Sequence, residues 1–348
     1  MAEPLLGLSG KFHPPYHRGM KTDFLTQDYL PQAAWSLSGG LLHGLCMVQL
    51  CDGMAKEMKG IRSLKALHIT PACAWSLDWH VQRSMTTPTA YLHLLGHTDA
   101  IKQPLCLNFD NPYVAKAMVE DAFGLFLVDE LLRHNPTGQN CVAVADDRVA
   151  FVLRRQFPNL RIIAHVNRSV CEEGEPDADF CNRLLEVYHE VQLYPGSLRY
   201  PGPVQALSHP ERCTVVVNDL CRRGSRAAHS QALLLLAQMR VRPYDFNYKV
   251  RRSEQMSALL APPGAPANMF SRSELQALYA QGLRSFHVQA EQYRNAMTPA
   301  WLFMNYLLTD APQYSNKTSL LIYKVLSYLT GDTPSLASGL EPFPMRWD

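Results

Sequence analysis

The chain has no excess of charge of either sign, because its 348 residues carry 33 basic and 31 acidic side chains. A protein dedicated to nucleic acid or to anionic membranes usually has a clear basic surplus, so this balance does not favour those classes. The sequence also lacks any apolar run near the roughly 20 residues that cross a bilayer. Its first residues include an acid and no basic segment, so no signal peptide is expected. We therefore expect a cytoplasmic protein with no membrane partner.

Several motifs of cofactor-binding proteins are also missing. The nine cysteines are scattered and contain no Cys-x-x-Cys pair, which is typical of reduced and mostly buried thiols. No Gly-x-Gly-x-x-Gly sequence follows the first predicted strand, and no P-loop sequence occurs. The sequence therefore predicts neither a zinc knuckle nor a common nucleotide site.

What the sequence does contain, from about residue 61 onwards, is an alternation of short apolar runs with amphipathic helical patterns. Continuous apolar runs are typical of strands buried on both faces, as in parallel sheets. Eight strands are predicted, near Leu64–Ile69, Leu105–Phe109, Cys141–Ala145, Arg161–Val166, Glu190–Tyr194, Thr214–Val217, Met269–Phe270 and Ser285–Gln289. This order predicts an α/β fold, a (β/α)8 TIM-type barrel, with an open doubly wound sheet as the competing geometry.

Helical patterns fill most of the intervals between these strands. They are predicted at Val114–His134, Asp147–Gln156, Asp177–Tyr188, Ser230–Met239 and Arg272–Gln281. The last has a capping box, Ser271 with Glu274, and Gly282 as its stop.

Three regions follow from this pattern. Residues 1–60 form an N-terminal extension packed on the barrel, with a helix within Gln32–Met58. Residues 61–310 form the barrel, and residues 311–348 form a C-terminal helix and tail. The proline-rich loop Arg251–Asn268 is a candidate lid over the barrel.

Four segments of the predicted barrel carry a family resemblance. They are Cys141–Val170, Tyr188–Gly196, Thr214–Ser230 and Ser273–Arg294, with an Asn-acid-x-Cys turn in the third and a strand ending Phe-x-x-Gln in the fourth. The series resembles uncharacterised TIM-barrel proteins of bacteria and phages. These are distantly similar to the collagenase-like peptidase family, which includes the tRNA and ubiquinone hydroxylation proteins.

The resemblance covers roughly Ile61 to Leu308 and implies a barrel enzyme with hydroxylase-like or hydrolase-like chemistry. Members of the hydroxylation branch hold an iron–sulfur cluster with several cysteines. Here Cys221 lies at the matching turn, but Ser225 stands where a second cysteine would fall. Because such a cluster needs about four thiolates, we do not expect one in this chain.

Active sites of TIM barrels lie at the carboxyl ends of the strands, so polar residues at the predicted strand ends are the site candidates. The candidate catalytic residues are Asp110, His165, Asn218 and Gln289. The candidate substrate-binding residues are His68, Asn108, Arg168, Tyr194, Cys221 and Glu291. A carboxylate beside an imidazole suits general acid–base chemistry, and it equally suits a divalent metal such as iron, zinc or manganese.

Each candidate also has an ordinary structural role to set against it. Asp146 and Asn111 suit helix N-caps. His287 alternates with Phe286 and Val288, so it suits a contact with a helix. Cys221 suits a buried thiol.

Two functions remain open at this point. The first is an enzyme acting on a small polar substrate, such as an amino acid, a peptide or a modified base. The second is a catalytically silent barrel that binds a protein, peptide or RNA partner.

Overall fold

Eight parallel strands form a closed barrel in which each strand pairs with the next and the last pairs with the first. The structure is a computed structural model. It describes residues 30, 32–39, 64–77, 87–135, 137–171, 177–199, 204–218, 226–241, 251, 255, 269–289 and 306. The predicted (β/α)8 fold is confirmed.

The strands are short, and their bounds are β1 Ala34–Leu37, β2 Ala66–Ile69, β3 Leu105–Phe109, β4 Cys141–Val144, β5 Arg161–Ala164, β6 Glu190–Leu193, β7 Cys213–Val216 and β8 Ser285–Val288. The barrel closes between β1 and β8, where Trp35 is in register with Phe286 and Ser36 with His287. The six strands β2 to β7 were predicted to within a few residues, and so was β8.

One strand was missed and one predicted strand is wrong. The missed strand is β1, at the start of the segment Gln32–Met58 that was expected to contain a helix, so the barrel begins before residue 61. Residues 40–58 of that segment lie outside the described residues. Met269 and Phe270 are not a barrel strand, because Met269 forms only an isolated antiparallel bridge with Asn218. Tertiary pairing explains both errors, since β1 depends on hydrogen bonds to β8, which follows some 250 residues later in the chain.

Seven helices occur in the described parts of the chain. They are α1 Pro88–Ala100, α2 Ala122–Arg133, α3 Asp147–Gln156, α4 Val166–Val170, α5 Ala178–Val187, α6 Arg226–Val241 and α7 Arg272–Ala280. Asp146 caps α3, and the capping box of Ser271 and Glu274 is present at α7. The predicted helix over Val114–His134 is divided into a 3-10 turn at Lys116–Met118 and α2.

Some predictions fall on residues that the structure does not describe. These are nearly all of the loop 251–268, all of 311–348, and most of residues 1–60. In the described helices, none combines the length and the apolar content needed to cross a bilayer.

Strand residues alternate between two environments. One set, including Leu67 and Val142, packs outward in the main hydrophobic core with helix residues such as Leu127. The other set faces the barrel interior, where a separate small cluster joins five strand residues, Ala66, Cys106, Cys141, Ala143 and Ile163. Four of these five side chains are alanine or cysteine, so they leave room for larger polar groups at both ends of the interior.

Candidate functional site

The barrel interior is unusually polar towards the carboxyl ends of the strands. Barrels of this type are mostly filled by branched apolar side chains. Here the inward-facing positions instead carry buried polar side chains, namely Ser36, His68, Asn108, Gln192 and His287. Together with His165, which directly follows β5, they form the candidate site.

His68 and His287 lie side by side in this interior. Their ring centroids are 4.4 Å apart, with the ring planes tilted by 50°. Nδ1 of His68 is 2.9 Å from Oδ1 of Asn108, and Nδ1 of His287 is 3.0 Å from Oγ of Ser36. Each ring is therefore held in one orientation by a hydrogen bond from a neighbouring strand.

His165 occupies the junction between β5 and α4, where it caps the helix. Its Nδ1 accepts a hydrogen bond of 3.2 Å from the backbone N–H of Asn167. Only 6% of His165 is exposed. It is close enough to His68 for a charge on one ring to act on the other.

All three rings are neutral at physiological pH. Burial lowers the pKa of His68 to about 4. Burial, and then the positive charges that His68 and His229 would carry, lower the pKa of His165 to about 3. Burial also lowers the pKa of His287 well below its usual range. Neutral imidazoles can donate, accept or bind a metal ion.

The second nitrogen of each ring distinguishes this cluster from an ordinary satisfied core. Every described hydrogen bond of the imidazole rings of His68, His165 and His287 uses Nδ1. Among the described residues, none pairs with their Nε2 atoms. The three Nε2 atoms are not among the fully buried, unpaired side-chain atoms of the described residues, so they face space that a small ligand can reach. We name these residues the histidine trio.

Asp110 lies at the carboxyl end of the barrel and is connected to the neighbouring segments by hydrogen bonds with backbone groups. Its Oδ1 accepts a hydrogen bond of 2.8 Å from the N–H of Leu77, and its carbonyl accepts one of 2.8 Å from Nδ2 of Asn167. Since Asn167 also donates to His165, the ends of β3 and β5 are tied together here. Two of the four candidate catalytic residues are thus brought into one neighbourhood.

Asn218 and Gln289 have a different arrangement. Nδ2 of Asn218 donates to the carbonyl of Gln289 at 2.7 Å, and its Oδ1 accepts from the N–H of Gln289 at 2.8 Å. Asn218 is fully buried. Its amide therefore joins the ends of β7 and β8, which is a structural role.

The remaining candidates lie in several places. His68 and Asn108 belong to the interior cluster, and Tyr194 is buried beside His229 with ring centroids 6.1 Å apart. Arg168 lies in the helical layer, where it pairs with Asp147 at 3.1 Å and stacks over Phe180. Cys221 and Glu291 lie outside the described residues.

Three members of the site, Ser36, Gln192 and His287, were outside the two sets of candidate residues named from the sequence. His287 was given a contact with a helix as its alternative role, yet it contacts His68 inside the barrel, while Phe286 and Val288 pack outward. The signal was present, because His287 is two residues from Gln289 and so shares its face of the strand. Ser36 was missed together with the strand β1.

The opposite, amino-terminal end of the interior is closed by a charged network. Glu190 accepts hydrogen bonds from Nζ of Lys65 at 2.6 Å and from Oγ1 of Thr214. Ser285 is 2.8 Å from both of these donors, and Arg161 approaches Glu190 to 3.6 Å. Burial would raise the pKa of Glu190, but these donors and cations bring it below its usual value.

A metal ion or a cofactor would need ligands from this interior. Within the described residues, no group of three or more histidine, cysteine, aspartate or glutamate side chains is arranged to hold a metal ion. The described cysteines are all free thiols, and five of the six are buried.

Comparisons with known proteins do not assign the chain to a family. No family model and no curated protein matches the chain. The chain is similar to the U32 peptidase Mk0906 at 10% identity, with 80% of this chain and 96% of that chain covered and a TM-score of 0.44. It is similar to a thiamine phosphate pyrophosphorylase from Pyrococcus furiosus at 9% identity, with 84% and 98% covered and a TM-score of 0.38. Similarity at this level carries no information on substrate or reaction.

Proposed function

We propose that this chain is a barrel enzyme that binds a small polar substrate at the carboxyl ends of its strands, directly against the histidine trio. The observation that carries the proposal is the set of three buried, neutral imidazoles whose Nε2 atoms have no partner among the described residues. Strained or unsatisfied groups are typical of functional sites.

The roles of the residues follow from their positions. His68, His165 and His287 would contact the substrate, while Asn108 and Ser36 orient two of the rings from behind. Asp110 would stand at the rim, where a carboxylate can hold a donor group of the substrate or exchange a proton with it. Asn218 and Gln289 would fix the rim between β7 and β8. An amino acid, a peptide or a modified base remains the proposed substrate class.

A compound screen with matched variants tests this proposal. The wild-type protein would be incubated with the amino acids, a set of dipeptides and the ribonucleosides, with thermal stability and mass-spectrometric turnover as readouts. We expect at least one compound to be bound and converted, and the effect to disappear in His68→Gln and His287→Gln. His134→Gln is the control, because His134 pairs with Asp99 in the helical layer and not in the interior.

A compound that stabilises the two interior variants as well as the wild type would contradict the proposed site. The second function, a silent barrel that binds a partner, predicts no turnover and binding to an RNA or a peptide. RNA binding would weaken steeply with added salt, because it releases counterions.

A further inference from the structure

Hydrogen bonds to Nδ1 fix which nitrogen of each ring in the histidine trio carries the proton. Nδ1 of His165 accepts the N–H of Asn167, so it has no hydrogen of its own. The single proton of the neutral ring is therefore on Nε2. His165 therefore carries an N–H donor on Nε2, in a side chain that is 6% exposed.

The other two rings have the reverse arrangement. Oδ1 of Asn108 can only accept, so Nδ1 of His68 donates to it and Nε2 of His68 is a bare acceptor. Oγ of Ser36 donates to the carbonyl of Phe286 at 3.4 Å, which leaves it to accept from Nδ1 of His287. Nε2 of His287 is then a second bare acceptor.

From this pattern of one donor and two acceptors we infer the chemical class of the substrate. We propose that His165 donates its Nε2–H to a carbonyl or carboxylate oxygen, while His68 and His287 accept from an adjacent hydroxyl or amino group of the same molecule. The proposal rests on the proposed function, because it assigns the ligand of the same site. Its ligand is an α-hydroxy or α-amino acid, or the corresponding amide.

Neutral imidazole is well suited to this role. A neutral imidazole can polarise a carbonyl oxygen without giving up its proton, and a fixed donor needs no rearrangement when negative charge develops on that oxygen. Among the described residues, two cations reach the barrel interior, Lys65 and Arg161, and both are engaged by Glu190 at the other end of the barrel. The site would therefore select a ligand by its hydrogen-bonding groups and its shape rather than by its net charge.

Nuclear magnetic resonance of the ring nitrogens tests the inference without knowledge of the reaction. In the full-length protein at pH 7, we expect His165 with its proton on Nε2, and His68 and His287 with theirs on Nδ1. A charged His165, or a proton on its Nδ1, would overturn the inference.

A titration with two small probes tests the ligand class. Glycolate has a carboxylate and an adjacent hydroxyl, whereas acetate lacks the hydroxyl. We expect glycolate to shift the Nε2–H resonance of His165 in a saturable way and to bind roughly tenfold more tightly than acetate, because acetate leaves the acceptors of His68 and His287 unpaired. Equal affinities, or no saturable shift with glycolate, would overturn the assigned class.

The variant His165→Asn separates binding from folding. Asparagine is among the best N-cap residues, so it can replace Nδ1 in accepting the N–H of Asn167, but it is too short to supply the Nε2–H. We expect an unchanged thermal midpoint and at least a tenfold loss of glycolate affinity, with partial recovery in His165→Gln. Full affinity in His165→Asn would show that the ring only caps the helix.

The outcomes also separate this inference from the proposed function. Reversed ring tautomers, together with compounds that still bind at the trio, overturn the inference alone. If no compound in the screen and neither probe perturbs any of the three rings, both fail.

Discussion

The two ends of the barrel interior are both polar, but they differ in how their polar groups are satisfied. At the amino-terminal end, Glu190 is paired with Lys65, Thr214 and Arg161, and both of its oxygens are engaged. At the carboxyl end, each ring of the histidine trio has one satisfied nitrogen and one nitrogen that no described residue pairs with. A charge inside a protein must be fully paired, whereas a neutral imidazole can be left half-paired at a moderate cost.

The two ends of the barrel interior therefore differ in what their polar side chains can do. The charged network of Glu190, Lys65, Arg161 and Thr214 lies at the amino-terminal end of the barrel. The neutral trio stands below the mouth, where the loops of a TIM barrel build active sites. A small cavity lies between the two levels and is lined by groups from both, including Glu190 and His68.

The largest expected effect is the acid sensitivity of the carboxyl end. The pKa values of His68 and His165 are about 4 and 3 in the folded chain, below the ordinary value of 6.5. The unfolded chain therefore binds more protons, so stability is complete above pH 6.5 and is lost as the pH falls towards 4. Each such histidine contributes up to about 1.4 kcal/mol per pH unit in this window.

Urea unfolding between pH 7 and pH 4.5 measures this dependence. His287→Gln should show a shallower slope than the wild type, because one of the suppressed protonations is removed. Glu190 adds little in this window, since its pKa is lowered from an ordinary value near 4.5 and its contribution is lost only at lower pH. A flat profile from pH 7 to pH 4.5 would contradict the buried, neutral state of the trio.

The next effect concerns the charged network. Glu190→Ala leaves Lys65 without its partner inside the barrel, and removal of one partner of a buried ion pair typically costs about 3–5 kcal/mol. We expect a value near the lower end, because the side chain of Lys65 is 27% exposed and keeps some hydration. The measurement is the free energy of unfolding in urea at pH 7.

Glu120→Ala is the matched control for that change. Glu120 pairs with Arg155 at 2.8 Å, but its side chain is 67% exposed, so its loss should cost less than about 1 kcal/mol. Equal costs for the two variants would mean that the network at the amino-terminal end is not shielded from water.

The smallest expected effect concerns the hydrogen bond that orients the ring of His287, not the loss of the ring itself. Ser36→Ala removes the hydrogen-bond partner of Nδ1 of His287 and should destabilise the fold by about 1 kcal/mol. The exposed Ser208, which bonds to Asn182, is the control and should change stability by less than about 0.5 kcal/mol on replacement by alanine. In the Ser36→Ala variant, the ring of His287 should exchange between both tautomers in nuclear magnetic resonance spectra. A single unchanged tautomer would show that Ser36 does not orient this ring.

Part of the candidate site was accessible from the sequence. Asp110 and His165 were expected at strand ends, and the structure joins them through Asn167. Arg168 was expected there as well, but it follows His165 on α4 and turns into the helical layer towards Asp147. A position next to a strand end does not fix the direction of a side chain once a helix begins.

The sequence by itself determined the order of strands and helices, because runs of apolar residues such as Cys141–Val144 must be buried on both faces. It also determined the caps, since Asp146 and Ser271 act on residues close to them in the chain. Only the tertiary structure decided that Ala34–Leu37 is a strand, because its partners in β8 are distant in sequence. The same closure brings Ser36 against His287 and His287 against His68, and these contacts set the donors and acceptors of the trio. Contacts local in sequence can be inferred from it, whereas contacts made by closing the barrel exist only once the barrel has closed.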